Sequence, residues 1–373
     1  MESVSYLKGR DYAQEFLIPY LAQTEILLRK ALKKLDSTAD CRVAGAADLG
    51  VPHDVIRLAG GFATGCLVEW SCKIPVIPVD TTVNIDTSSI FYIDDDISEQ
   101  FTSERFADII EVTTNGSSYV WNFNKGNHFI SLSRRRSDGK LALIFHSNEK
   151  EFKYQTNGLI PVPGNWFWDD IEHFSEGGRY IRLLVGANAT HFAAVAKMLE
   201  EFNIQRHRFF ALQLCRKLAG IIAEKHDHHY FMPTSNSVAM GVYVCSPNDI
   251  VPVFSKPGGA IPMFQATEGG INSSGDKLLV PHGWGKTSRC PLNVNLDDGR
   301  LIVNGRPFHI APRESLGRHP DLTLREFAND PLSEDGFFAQ IAESCSGKVV
   351  DVFDQLISYS QSGVVDHRKK KAE

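Results

Sequence analysis

One stretch limits the fold more than any other. Residues 128–146 read HFISLSRRRSDGKLALIFH: two apolar, β-branched runs on either side of Ser137, Asp138 and Gly139. Asp-Gly chemistry of this kind joins antiparallel strands. The spacing predicts strands over 128–133 and 140–146, with another over 119–123. Residues 74–94, IPVIPVDTTVNIDTSSIFYID, predict two short buried strands around a polar loop. Apolar positions at helical spacing predict helices over 12–35, where Pro19 marks a break or kink, and over 190–223. Short strands punctuated by Gly and Pro follow over 238–310. Helices are expected over 322–329, 334–344 and 348–361, before a solvated tail HRKKKAE. The fold expected is α+β, one large domain of mixed or antiparallel sheets surrounded by helices. It divides into an N-terminal helical segment (1–40), a core (45–290) and a C-terminal helical extension (291–373).

Composition narrows the function classes. The net charge is −6, which argues against a wholly basic nucleic-acid binder but allows a local basic channel. No apolar run reaches the roughly 18–20 residues that a membrane span needs. The start, MESVSYLKGRDYAQEF, lacks the basic-then-apolar pattern of a secretion signal. Seven scattered cysteines without a CxxC argue against a disulfide framework. These features lead us to expect a cytoplasmic protein with no membrane partner.

The hairpin also raises a chemical question, because it begins at His128 and ends at His146. With the turn near Ser137 the two face each other, and directly opposed Cβ atoms lie about 4.5–5.5 Å apart. Neutral imidazoles so placed suit a metal ion. Two more clusters carry histidine: His226-Asp227-His228-His229-Tyr230, and Pro281-His282-Gly283-Trp284-Gly285-Lys286. A histidine beside glycines leaves its ring and backbone open to a phosphate. Asp86 sits in a loop after an apolar strand, where a metal-binding carboxylate is often placed. The acidic run 94–96 reads as a solvated loop.

The order of these pieces resembles the RtcB family of RNA ligases. Val83-Asn84-Ile85-Asp86-Thr87-Ser88-Ser89 resembles the family's VGFDINCG. Gly126-Asn127-His128-Phe129 keeps its GNHF, and His146-Ser147-Asn148-Glu149 keeps part of HSGS. Asp227-His228-His229-Tyr230 resembles HHN(Y). Ser255-Lys256-Pro257-Gly258-Gly259-Ala260 resembles RKGA, and His282-Gly283-Trp284-Gly285-Lys286 resembles HGAGR. The likeness spans roughly residues 45–290. The chain departs from the pattern where the family's metal-binding cysteine falls on Ser89. It also has Ser255 and Lys286 in place of arginines, and PMFQATEGG (262–270) where PGSMG is expected.

The resemblance implies an RNA ligase that joins a 3′-phosphate or 2′,3′-cyclic phosphate to a 5′-hydroxyl, with RNA such as broken tRNA as its partner. It implies His282 as the nucleophile that takes GMP from GTP. Asp86, His128, His146 and His228, with His229 as the alternative to His228, are then the ligands of Mn²⁺ or another divalent metal such as Zn²⁺. Asn127, His229, Lys256, Gly283, Gly285 and Lys286 are expected to contact the nucleotide. Arg206, Arg208 and Arg289 are expected to contact RNA phosphates. Ser89 and the missing PGSMG leave two other readings open: a protein that binds metal and nucleic acid without ligating, and a metal-dependent phosphoesterase.

Overall fold

The computed structural model describes residues 11–116, 119–149, 151–153, 155, 158–254, 258–267, 273–274, 277–283, 285–324, 338–339, 341–342 and 345–368. It is α+β, and every strand pair in it is antiparallel. The helices are α1 (Tyr12–Leu35), α2 (Val55–Ala59), α3 (Ser103–Gly116) and α4 (Ala187–Cys215). The main sheet uses β1 (Asp40–Gly50), β2 (Thr64–Ser71), β3 (Asp86–Ile93), β4 (Phe129–Arg135), β5 (Leu141–Asn148), β6 (Ile221–Thr234), β7 (Ser237–Met240), β8 (Ile250–Pro252), β9 (Ile261–Ala266), β10 (Gly347–Ser360) and β11 (Gly363–Asp366). Its order is β1-β2-β7-β6-β3-β5-β4-β10-β9-β8, with β11 paired to β10.

The predicted hairpin is present as β4 and β5, but its register differs by one residue. Phe129, not His128, lies opposite His146. The residues at 119–123 form no strand. α1 runs through Pro19 without a break; its buried face, including Leu17, Leu21, Leu28 and Leu32, packs with the residues of β1 and β2.

The middle of the sheet is covered on both sides. Phe91, Leu143 and Phe145 point to one face, where they pack with Trp121, Phe123 and Phe210 of α4. Ile90, Ala142 and Ile144 point to the other, against Phe254, Ile261 and Met263. This alternation decides which side each polar residue of β3, β5 and β6 serves.

Two helical expectations are corrected. α4 ends at Cys215, where Arg105 donates to the carbonyl of Leu214 in its last turn at 2.8 Å and to that of Arg216 just beyond it at 3.0 Å. Lys217 then turns with φ 64°. The β-branched pair Ile221-Ile222 opens β6, so the histidine cluster lies in a strand rather than after a helix. Residues 291–324 and 347–368 are not a helical extension. They form a three-stranded meander (Val294–Asp297, Arg300–Val303, Arg306–His309), then Leu322–Leu324, then β10 and β11. β10 fits between β4 and β9 in the sheet. A register shift between Gln355 and Ile357 interrupts its alternation, which is why its apolar residues fall at spacings that imitate a helix. Of the helix expected over 334–344, the described residues 338–339 and 341–342 are helical; its other residues, 325–329 and residues 369–373 of the tail lie outside the described residues.

Candidate metal centre and its cavity

Three neighbouring strands bring Asp86, His146 and His229 together. Asp86 opens β3, His146 is in β5 on one side of it, and His229 is in β6 on the other. The β3–β6 ladder shifts between Asp86 and Thr87: Thr87 faces His228, but Asp86 faces Tyr230. His229 is the extra residue of a β-bulge, a device that re-aims a side chain beside a site. All three residues are buried. The Nε2 atoms of His146 and His229 are 3.1 Å apart, and Asp86 Oδ1 lies 3.5 Å and 3.6 Å from them. A tetrahedral ion with ligands at about 2.0–2.1 Å separates those ligands by about 3.3 Å. The triangle has the right size.

Surrounding contacts prepare these atoms for an ion. His146 Nδ1 donates to the carbonyl of Asn127 at 3.1 Å, which leaves Nε2 with its lone pair toward Asp86 and His229. His229 Nδ1 is 3.5 Å from Ser88 Oγ, which itself meets the Tyr243 hydroxyl at 3.0 Å. Burial holds both imidazoles below their ordinary value, and therefore neutral. Asp86 Oδ1 is buried and accepts no hydrogen bond. A buried carboxylate oxygen without a donor, facing two neutral imidazole nitrogens, is electrostatically incomplete, and a divalent cation would complete it. Two histidines and one carboxylate are also a ligand set of catalytic metal sites, which keep a further position open.

A cavity of about 740 Å³ adjoins this group, with Asp86, His128, Tyr230 and His282 in its wall. His282 Nδ1 is 3.2 Å from Oδ2 of the buried Asp48, and its ring stacks on that of His229 at 4.9 Å. The carboxylate fixes the ring orientation and leaves Nε2 as the nitrogen available for chemistry. Gly283 has φ 105°, and a Cβ there would lie 1.9 Å from Phe254 O, so only glycine allows this turn. Asn127, Gly285 and Lys286 also line the cavity, and burial lowers the Lys286 ammonium.

The expected site residues divide clearly. Asp86 and His146 take their expected places, but His229 completes the group in place of His228. His228 lies on the opposite face, with Nδ1 3.0 Å from Thr87 Oγ1. His128 stands beside the group, its ring 6.3 Å from that of His146, and its Nδ1 donates to Asn122 O. Ser89, where the family resemblance places a cysteine ligand, also faces away, toward α4. Lys256 lies outside the described residues. Arg289 is exposed. Arg208 is paired with Glu224. Arg206 is no nucleic-acid contact: it is fully buried, bound to Glu151, Asn203 and the Asn148 carbonyl. Arg206→Ala should cost on the order of 3 kcal/mol of stability in urea unfolding, because it removes a buried guanidinium and leaves the partly buried Glu151 and the Asn148 carbonyl without their donor.

Asp48, Tyr230 and Arg57 were not foreseen. Asp48 had one sequence signal, a lone acid in the apolar run VAGAADLGV. Arg57 donates to the carbonyls of Thr81 and Thr82 and so steadies the chain that leads into Asp86.

Glu149 provides a pH test of this region. Burial raises its carboxyl from 4.5 to about 8, and the nearby Asp86 charge adds to the rise. A raised carboxyl carries its full stability below the unfolded value, and that stability falls away as pH climbs toward 8. Glu149→Gln should therefore gain on wild type between pH 4.5 and 7, by on the order of 3 kcal/mol. Urea unfolding at several pH values with a chelator present reads this directly.

No family model matches the chain, and no curated protein matches it.

Proposed function

We propose that the cavity is a metal-dependent nucleotidyl-transfer site of the RtcB kind, which seals RNA ends through a covalent His282–GMP intermediate. The observation that carries this reading is the Asp48–His282 pair, stacked on a candidate metal ligand in the wall of the same cavity as Asp86. An imidazole attacks phosphorus only when neutral, and a carboxylate on Nδ1 balances the charge that develops on the ring.

In this reading the His282 Nε2 lone pair forms a bond to the α-phosphorus of GTP, and the bond to the bridging oxygen breaks to release pyrophosphate. An oxygen of the RNA 3′-phosphate then attacks the same phosphorus, and the N–P bond returns its electrons to the ring. Attack by the 5′-hydroxyl on the activated RNA phosphate releases GMP. Lys286 and Asn127 bind phosphate oxygens in the cavity. A divalent ion such as Mn²⁺ on Asp86, His146 and His229 supplies the charge neutralisation that phosphoryl oxygens need. One carboxylate and two neutral imidazoles leave it a net charge of +1. The test is incubation with α-labelled GTP or ATP and Mn²⁺. A labelled protein adduct, labile to acid and stable to alkali, is the expected product.

A phosphoesterase reading draws on the ligand group itself. The described residues hold one three-ligand group, with Ser89 turned away, rather than the sites for two ions. One ion with an open position suits activation of a water. Hydrolysis of a 2′,3′-cyclic phosphate without any adduct would favour it.

A further inference from the structure

Behind the three ligand-bearing strands lies a second polar cluster that the chemistry above does not use. β3, β5 and β6 carry Asp86, His146 and His229 toward one face, and Ser89, Ser147 and His226 toward the other. His207 of α4, fully buried, ties the second set together. Its Nε2 is 2.7 Å from Ser147 Oγ, and its Nδ1 is 2.7 Å from Ser89 Oγ. Ser89 Oγ in turn meets His226 Nδ1 at 2.8 Å. One turn earlier on the same helix, Asn203 donates to Ile85 O at 2.9 Å, next to Asp86.

We propose that His207 is a positioning residue for the metal centre: a pin across the back of the sheet that sets the spacing of the strands bearing Asp86, His146 and His229. The proposal rests on the metal reading of those three residues. Packing alone does not call for a polar side chain here, since the Phe145 and Phe123 rings flank His207 at 5.5 Å and 5.7 Å. An apolar ring would fill the same space without the desolvation that burial of an imidazole imposes. What the imidazole adds is a pair of nitrogens, each engaged by a hydroxyl from a different strand. A buried ring held at both nitrogens in this way specifies one arrangement. The strands transmit that arrangement. Ser147 follows His146 directly, Ser89 lies three residues beyond Asp86, and His226 lies three before His229. Ligand distances tolerate errors of only about 0.2 Å, so a small slip between β3 and β5 spoils the triangle.

The test is Co²⁺ titration of the full chain, read by affinity and by the visible ligand-field spectrum. His207→Phe keeps a flat aromatic ring at the site, one heavy atom larger, and removes both bonds. It should weaken Co²⁺ binding by about 10–100-fold, the usual cost of losing a partner behind a metal ligand, and should alter the spectrum. His207→Gln, which can keep one bond, should recover part of the affinity. Phe210→Leu disturbs the packing of α4 without touching a hydrogen bond, and should leave affinity and spectrum unchanged. Wild-type affinity and spectrum in His207→Phe would overturn the proposal while leaving the metal reading intact. If His207→Phe does not fold, Ser89→Ala decides: several-fold weaker binding supports the pin, and unchanged binding overturns it. Absence of Co²⁺ binding by wild type would overturn the metal reading and the pin together.

Discussion

His282→Ala should reduce the covalent nucleotide adduct to background while metal stoichiometry stays at the wild-type value. Loss of the nucleophile in a covalent mechanism costs about 10⁶ in turnover, so no residual signal is expected. His282 is separable from the metal because it belongs to another segment, after the strand Lys277–Pro281, and meets the ligand group by stacking on His229. Asp48→Asn is the subtler variant. It keeps the shape of the pair but lets the ring adopt the wrong tautomer, and should slow adduct formation by about 10³–10⁴-fold. An adduct that survives in His282→Ala would move the nucleophile to His128 in the same cavity wall. A wild type that forms no adduct with any nucleotide would remove the nucleotidyl-transfer reading.

The second large effect separates two adjacent histidines. His229→Ala should abolish metal binding at micromolar protein, a greater loss than the ~10–100-fold expected for a residue behind the ligands. His228→Ala should leave metal affinity within a few-fold of wild type, because its ring faces Thr87 and Glu200 on the far side of the sheet. Calorimetric titration with Mn²⁺ or Zn²⁺ measures both. Equal losses in the two variants would contradict the bulge at His229.

That pair also shows what the sequence could and could not tell. Asp86 and His146 stood among the expected ligands because their order and spacing match the RtcB pattern. The choice between His228 and His229 was not legible, because one bulged residue decides it and nothing in HDHHYF announces a bulge. The hairpin 128–146 was legible from its turn chemistry, yet its register slipped by one, since the ladder centres between Ser137 and Asp138 rather than on Ser137. Arg206 read as a surface cation by its type alone. Only the packing of α4 shows it locked to Glu151 and Asn148. β10 was mistaken for a helix because burial on both faces and a bulge erase the alternation that marks a strand.

The place of β10 between β4 and β9 also sets an order in time. Gln355, Ser358 and Ser360 of that strand form part of the cavity wall. A ribosome adding about 5–20 residues per second reaches Ser360 roughly 10–40 s after it has passed the end of β5. Throughout that interval β4 has an unpaired edge and the cavity lacks a wall. The cavity is therefore completed late, and any ligand that needs all of its walls must wait until this last long strand has docked.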